Sequence, residues 1–498
     1  MSENGEQACR ATPIMRAMTL DAATCYRALR ARDARFDGRF FVAVSSTRIY
    51  CRPVCTVKPP RRENCRFYPS AAAAESGGYR PCLRCRPELA PGNASVDATS
   101  RVAQAAASLI EDRALDAEGL AAVAARLGIS DRHLRRAFGT EFGVSPVEFA
   151  QTQRLLLAKR LLTDTALPVT EVAFASGFGS LRRFNALFKL RYRLQPGQLR
   201  RHMRVSAAPA TDALHFELSF RPPYDWPALG AFLGARAIAG VESVAGGGYR
   251  RTVRVAQEGK DHLGWIEVGL SPTKPALRVA VSASLARVLP PVLSRVKALM
   301  DLACNPAEVA DALGALARAH PGMRVPGAFD GFEIAVRSIL GQQVTVAGAR
   351  TVAGRFAQAL GDALETPFEA LTTVFPAAAR VADTPAGRIA RLGLPGARAR
   401  TIVALARAVA DGALVLMPNA DIEATLDRLR ALPGVGERTA QYIALRALAW
   451  PDAFPHTDFG VMKALGTKDA KRVLAAGEAW RPWRAYAVMH LWNSLERD

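Results

Sequence analysis

Two close cysteine pairs restrict this chain more than any other feature. Cys51 and Cys55 form a Cys-x3-Cys unit, Cys82 and Cys85 a Cys-x2-Cys unit, and 26 residues lie between the units. Such spacing suits a tetrahedral zinc site with four thiolate ligands, because each short pair can wrap one edge of the tetrahedron. Around them, Asp21 to Pro87 is a run of short mixed segments with turns at Arg52-Pro53, Pro59-Pro60 and Gly77-Gly78. A stretch so poor in long apolar helices needs a staple, and a metal held by deprotonated thiols supplies one. The expected cofactor is one Zn2+ on Cys51, Cys55, Cys82 and Cys85. A purely structural zinc is the second reading that the spacing alone allows. Cys9, Cys25, Cys65 and Cys304 lack ligand spacing and are expected to be ordinary thiols. Eight cysteines in 498 residues do not build a disulfide scaffold. In a reducing compartment, close pairs more often bind metal than oxidise.

A chain of this length exceeds what one hydrophobic core supports and should divide into several domains. The opening, to about Arg16, is polar and without period, so a disordered N-terminus is expected over residues 1–16. From Thr99 to about Arg204 the apolar period is helical, and the Pro/Ala-rich break from Ala207 to Ala213 predicts a linker. Alternation then predicts strands at His215–Phe220, Arg251–Ala256, Trp265–Leu270 and Leu277–Ser282, interleaved with helices near Trp226–Arg236 and Leu289–Asp301. Beyond Cys304 the pattern is almost wholly helical.

The formal charge is +21, from 66 Lys+Arg against 45 Asp+Glu. A surplus of that size favours a polyanionic partner, since released counterions drive binding to phosphates. An Arg- and Ala-rich genome would give the same surplus, so charge by itself only admits nucleic acid. No basic start leads into an apolar stretch, and no run reaches the length of a membrane span. A cytoplasmic protein with no membrane partner is expected.

Within the helical stretch, Leu120–Leu127 can form a first helix, Gly128-Ile129 a tight turn, and Ser130 the cap of a helix carrying Arg132, His133, Arg135 and Arg136. About fifty residues on, Val169–Ser176, Gly177-Phe178-Gly179 and Ser180 repeat the pattern before Arg182, Arg183, Asn185 and Lys189. Glycine relieves such a turn, serine satisfies free N–H groups, and exposed basic side chains meet phosphates or guanine edges. A helix through Gln153–Leu162 would join the two copies, and an internal duplication is expected. Ala173-x3-Gly177-Phe178, Phe184-x3-Phe188-Lys189 and Gln195-Pro196-Gly197-Gln198-Leu199-Arg200 resemble the AraC-type DNA-binding domain. That resemblance implies two recognition helices in successive major grooves, roughly 34 Å apart. Arg191-Tyr192-Arg193 departs from the family, which often has a small residue or Gly there.

Tyr50-Cys51-Arg52-Pro53-Val54-Cys55, Arg62-Glu63-Asn64, Phe67-Tyr68 and Tyr79-Arg80-Pro81-Cys82-Leu83-Arg84-Cys85 resemble the N-terminal domain of Ada-type adaptive-response regulators. The resemblance implies that Cys51 is both zinc ligand and sacrificial nucleophile, taking a methyl from a methylated DNA phosphate. It also implies that Thr47 and Arg80 approach that phosphate. Such regulators also carry a Pro-Cys-His-Arg methyltransferase site, which this sequence lacks, so direct reversal of O6-methylguanine is not expected.

In the C-terminal half, Leu432-Pro433-Gly434-Val435-Gly436 separates two helical stretches and precedes Thr439-Ala440-Gln441-Tyr442. Glycines there let the N–H groups at a helix start approach a phosphate, as in a helix-hairpin-helix clamp on the DNA backbone. A carboxylate, Asp458, follows within Phe454-Pro455-His456-Thr457-Asp458-Phe459-Gly460. Pro222-Pro223-Tyr224-Asp225-Trp226, Gly331-Phe332-Glu333, Ile339-Leu340-Gly341-Gln342-Gln343-Val344 and Trp480 to Ala487 resemble the AlkA-type 3-methyladenine DNA glycosylases. This resemblance runs from about His215 to the C-terminus. It implies that Asp458 stabilises charge developing at C1′, with a general-base role secondary. It also implies that the lesion is flipped into a pocket lined by Tyr442 and Trp492. Gln343 falls where the family wedges the vacated stack, usually with Leu. Arg438 replaces a pocket aromatic, and where bifunctional relatives have a Schiff-base Lys, so no lyase activity is expected. Gly434, Gly436 and Thr439 are the expected backbone contacts to DNA, and a monovalent cation on hairpin carbonyls is implied. No C-terminal cysteine cluster offers iron–sulfur ligands.

The expected fold class is multidomain α+β. It comprises a zinc-stapled domain (17–92), an all-α double helix-turn-helix domain (97–205), a linker (206–213), a small antiparallel α+β domain (214–303) and an all-α helix-hairpin-helix domain (304–498). The expected function is a DNA-alkylation response: methyl transfer to Cys51 switches on transcription, and the C-terminal half excises alkylated purines. Double-stranded DNA and RNA polymerase are the expected partners of a monomer. The alternative is a DNA-binding regulator with structural zinc and an inactive glycosylase half.

Overall fold

The computed structural model describes residues 21–92, 98–111, 114–203, 213–257, 259–418 and 421–495. The disordered start expected over 1–16, Cys9, and all of the expected linker except Ala213 lie outside those residues.

Asp21 opens the described chain by capping the helix Ala22–Ala31, its Oδ1 accepting from the Ala23 and Thr24 N–H groups at 2.8 Å. A four-stranded sheet follows, in the order Cys65–Tyr68, Phe41–Val44, Ile49–Cys51, Arg80–Pro81. The last two strands run parallel, with Ile49 opposite Arg80 and Tyr50 opposite Pro81. This register sets the end of one cysteine strand beside the start of the other cysteine pair.

The two helix-turn-helix copies form as the caps predict. In the first, the helix assigned to Ala114–Arg126 breaks at Gly119 (φ 78°, ψ 172°), so its continuous part starts at Leu120. Ser130 then caps Asp131–Phe142, accepting from His133 N at 3.2 Å. In the second, Val169–Ala175 leads to Ser180, which caps Leu181–Tyr192 and accepts from Arg183 N at 3.4 Å. Pro146–Asp164 joins them, secured by a full capping box between Ser145 and Glu148. The unusual Arg191-Tyr192-Arg193 now has a physical meaning. The first recognition helix ends at Gly143 with φ 71°, and the second ends fifty residues later at Arg193 with φ 55°. Both copies close in the left-handed conformation, but the second does so without the residue that adopts it freely.

The small sheet of the C-terminal half is antiparallel, ordered Ala213–Ser219, Ala276–Ser282, Lys260–Leu270, Gly248–Gln257, Glu242–Ala245. The last of these strands was not foreseen from alternation. A buried ion network ties the sheet to the helix Gly331–Leu340. Arg251 reaches Glu333 at 2.5 Å, and Arg337 reaches Glu242 at 2.9 Å and Glu333 at 3.0 Å. Leaving one of these charges unpaired would cost about 3–5 kcal/mol. The network therefore fixes the helix whose end carries Gln342 and Gln343.

Apolar packing crosses the sequence divisions. Tyr50, Tyr68 and Tyr79 of the cysteine region share a core with Leu134, Phe138 and Phe149 of the first helix-turn-helix copy. Phe184, Phe188 and Leu199 of the second copy are continuous with Phe216, Leu218 and Val268 of the five-stranded sheet. Among the described residues no helix is long and apolar enough to cross a membrane.

Arg193→Gly should stabilise the protein by about 1 kcal/mol, since a non-glycine residue in the left-handed region carries a steric penalty of that order. Thermal melting checks this, and the midpoint should rise by a few degrees.

Candidate functional site

Chemistry-bearing side chains gather at two places. At the first, the Tyr50 carbonyl accepts from Cys82 N at 3.0 Å, holding the two cysteine pairs side by side. The turn bonded from Cys55 N to the Arg52 carbonyl (3.2 Å) brings Cys55 back towards Cys51. All four Sγ atoms of Cys51, Cys55, Cys82 and Cys85 lie within 4.8 Å of one another. Zinc–sulfur bonds of about 2.3 Å put tetrahedral sulfurs about 3.8 Å apart, so the cluster is the right size. The donor set also fits. Four thiolates this close repel one another, so holding all four deprotonated requires a cation among them.

Cys55 and Cys82 are buried, whereas Cys51 and Cys85 are partly exposed. Cys85 Sγ accepts from Arg52 N at 3.3 Å. The Arg52 guanidinium is itself buried against Asp37 and donates to the Cys85 carbonyl at 3.3 Å. Thr47 is exposed in the hairpin turn before Ile49, and Arg80 is half-buried on the strand next to Cys51's own. Cys25, Cys65 and Cys304 are buried elsewhere, and burial pushes each thiol up, Cys25 to about 12 and Cys304 to about 11.

Two buried carboxylates connect this cluster to the helix-turn-helix region. Tyr50, the neighbour of Cys51, donates its OH to Glu75 Oε1 at 3.0 Å, and Arg191 donates to the Glu75 carbonyl at 3.0 Å. Glu88, three residues past Cys85, pairs with Lys159 of the joining helix at 2.6 Å. The second recognition helix therefore ends against the residues that frame the thiols. Arg132, Arg182, Arg183 and Asn185 are exposed on the recognition helices. Arg135 is exposed too, but bonds Asp131 at 3.1 Å, so part of its charge is already matched.

The second place lies in the helical C-terminal region. Ile422–Arg430 and Glu437–Arg446 flank the glycine turn, with Gly434 at φ 85°. A Cβ on Gly434 would meet Thr401 Oγ1 at 2.7 Å, so both handedness and space demand glycine there. Gly436 is the N-cap of the second helix, which leaves the first N–H groups of that helix pointing outward. Thr439 has its side chain buried, accepting from Gln342 Nε2 at 3.1 Å. Gln342 Nε2 also donates to the Gly434 carbonyl at 2.9 Å, which locks the turn to the Gly331–Leu340 helix end. Next to it, Gln343 stands exposed at φ 56°.

Asp458 caps the helix Phe459–Ala464 and serves a second purpose at once. Its Oδ1 accepts from Gly460 N at 2.9 Å, Val461 N at 3.2 Å and Trp492 Nε1 at 3.0 Å. A Cβ on Gly460 would lie 2.9 Å from the Trp492 ring, so glycine there is what lets the indole reach the carboxylate. Oδ2 receives none of these donors and faces Arg438 Nη1 at 3.8 Å. Trp492 lies 6.0 Å from Tyr442 and stacks on Phe232 at 6.2 Å with an interplanar angle of 18°. Burial would raise the Tyr442 hydroxyl, but Arg446, Arg236 and Arg337 outweigh it and hold the group below its ordinary range. The Arg438 side chain is 40% exposed.

Phe232 was missed from sequence because an apolar residue on a helix face looks like any core residue. Phe459 was missed too: it is 73% exposed directly after Asp458. A cavity of about 770 Å³ lies between the two halves, and neither Asp458 nor Trp492 lines it.

Three family models match the chain: the metal-binding domain of Ada over residues 24–88, a helix-turn-helix domain over 123–202, and the AlkA N-terminal domain over 215–330. The chain is 40% identical over 491 residues to the probable bifunctional transcriptional activator/DNA repair enzyme AlkA of Mycobacterium tuberculosis, covering 96% of this chain and 97% of that protein. It is 36% identical over 277 residues to DNA-3-methyladenine glycosylase 2 of Escherichia coli, covering 56% of this chain and 96% of that one. It is also 36% identical over 141 residues to the bifunctional transcriptional activator/DNA repair enzyme Ada of Escherichia coli, covering 28% of this chain and 38% of that one. An Ada-type metal-binding module, a helix-turn-helix region and an AlkA-type region in one polypeptide, matched end to end by the mycobacterial protein, place this chain in the family of bifunctional transcriptional activator/DNA repair enzymes.

Proposed function

We propose that the protein answers DNA alkylation in two ways: Cys51 accepts a methyl group from DNA methylphosphotriesters, and Asp458 drives hydrolysis of the N-glycosidic bond of alkylated purines such as 3-methyladenine. The observation that carries the second activity is the asymmetry of Asp458, with one oxygen saturated by three donors and the other open to the groove. As the C1′–N bond of a flipped nucleotide stretches, its electron pair moves to the base and positive charge grows on the sugar. Oδ2 is the group that stabilises that charge while water bonds to C1′. Trp492 and Tyr442 offer stacking faces to the extruded ring, with Phe232 backing the Trp492 indole. Gln343 fills the vacated stack, and the turn at Gly434 and Gly436 with the Thr439 N–H holds the backbone. The Leu432 and Gly434 carbonyls each accept one hydrogen bond and keep a second lone pair, so we include a monovalent cation there.

At the thiol cluster, bound zinc supplies the charge that keeps sulfur in its thiolate form at neutral pH. Of the two partly exposed members, Cys51 and Cys85, Cys51 is the one that ends a strand. Its sulfur attacks the methyl carbon, the carbon–oxygen bond breaks with its pair on the phosphate, and a thioether results. One negative charge is lost beside Thr47 and Arg80, which strengthens the attraction to phosphates. Arg132, Arg135, Arg182, Arg183 and Asn185 read operator DNA, and the bound protein, acting as a cytoplasmic monomer, recruits RNA polymerase. Arg438 stays protonated, so base removal proceeds without strand cleavage.

Asp458→Asn should retain duplex binding and release 3-methyladenine about 100-fold or more slowly, measured as free base from alkylated DNA. Release at the parental rate would assign catalysis elsewhere. Methylation of Cys51 should raise affinity for operator duplex at low salt, with the gain shrinking at high salt, as read by fluorescence anisotropy. Equal affinity before and after would leave the zinc purely structural.

A further inference from the structure

The zinc module does not stand apart from the C-terminal half; it seats on one face of it, around Arg221. The Arg221 side chain is fully buried. Its Nη1 donates to the Ala303 carbonyl at 2.9 Å and the Cys304 carbonyl at 3.4 Å, while Nη2 donates to the Gly92 carbonyl at 2.7 Å, at the end of the zinc module. On the module side, Gly38 turns with φ 79° against Pro91. A Cβ there would collide with the Pro91 carbonyl and lie 3.3 Å from Arg221 Nη2. Asp37, the preceding residue, holds the guanidinium of Arg52, whose backbone N–H bonds Cys85 Sγ. Two more contacts cross between the halves. Arg39 pairs with Glu308 at 2.9 Å, and Arg160 of the joining helix donates to the Glu217 carbonyl at 2.6 Å while lying 4.8 Å over the Phe216 ring.

We infer that this face of the glycosylase half is a docking surface for the zinc module, so that metal at the thiol cluster steadies the base-excision site from a distance. The inference rests on the glycosylase reading above. Arg221 opens the turn Pro222-Pro223-Tyr224, which Arg324 also clamps by donating to the Arg221 and Pro223 carbonyls at 2.7 Å and 3.0 Å. That turn leads straight into the helix Trp226–Ala235, and Phe232 on this helix backs the indole that bonds Asp458. A small module stapled by metal loses its fold when the metal leaves. The Gly92 carbonyl then no longer holds the Arg221 guanidinium, and the turn keeps only its contacts within the C-terminal half. Small misplacements around a reacting centre are felt in its rate. Asp458, Trp492 and Tyr442 all belong to the C-terminal half, so the effect is graded rather than all-or-none.

The test uses full-length protein, zinc-loaded or stripped of zinc by a chelator, with hydrogen-exchange mass spectrometry and release of 3-methyladenine measured on both. Removing zinc should speed exchange about tenfold in peptides spanning residues 220–235 and 300–308, which contain no zinc ligand. It should also lower kcat for base release about fivefold or more. Arg221→Gln, shown by thermal melting to be folded when zinc-loaded, should lose most of this zinc dependence and resemble the zinc-free parent in both states. Arg39→Gln, at a partly exposed contact that the fold does not need, should weaken the dependence in the same direction. Faster exchange confined to residues 21–92 would show a module that is merely tethered and overturn the inference. A zinc effect carried by KM alone would make the module an extra DNA contact and overturn it as well. A zinc-loaded parent that releases no methylated purine would remove the glycosylase reading and the rate effect with it, while exchange would still report whether the module docks.

Discussion

Three donors converge on a single oxygen of Asp458 and leave the other facing Arg438. Two of the donors are the first free N–H groups of the helix that Asp458 caps, and the third is the indole of Trp492 from the last helix of the chain. A carboxylate held this way cannot rotate its charge away from the groove. The indole in turn is placed by Phe232, from a helix more than 250 residues earlier, and by the close approach that Gly460 permits. The glycine turn is kept in register with this arrangement by Gln342, whose helix is anchored to the sheet through Glu333 and Glu242. Carboxylate, aromatic wall and backbone clamp thus come from distant stretches made rigid against one another, which is what a site acting on an extruded nucleotide requires.

The N-terminal half follows another logic. Phe40, Val42 and Cys65 of the cysteine region pack on Leu29 of its own first helix, and Phe41, Ala43 and Tyr50 share a core with helices of the first helix-turn-helix copy. Through Tyr50–Glu75 and Glu88–Lys159 the thiol cluster is continuous with the helix that joins the two copies and with the end of the second recognition helix. Burial pushes the Glu75 carboxyl up to about 7, against the pull of Tyr50 and Arg191, so this junction holds a carboxyl near its ionisation point at neutral pH. Groups beside Cys51 therefore also touch the helices of the helix-turn-helix region.

What was legible in the sequence was local. Cysteine spacing, the serine caps at Ser130 and Ser180, the glycine turn at Gly434 and the capping carboxylate Asp458 are each defined by residues a few positions apart, where backbone chemistry leaves a readable pattern. What was not legible depends on partners far along the chain. Phe232 and Gln342 gain their roles only once the lobes close, and Arg251, Glu242, Glu333 and Arg337 read as ordinary charges until the fold buries them together. The handedness of Arg193 lies between these cases: an odd residue was visible, and its left-handed backbone conformation explains the oddity. The shared cores across the helix-turn-helix region are likewise invisible to period, because an apolar helix face does not announce which neighbour it will meet.

The two activities can be read in one vessel. Wild-type protein incubated with duplex treated with a methylating agent should release methylated purines as free bases and, in the same sample, gain a single methyl on the peptide containing Cys51 by mass spectrometry. Intact lesions together with an unmodified Cys51 peptide would contradict the account.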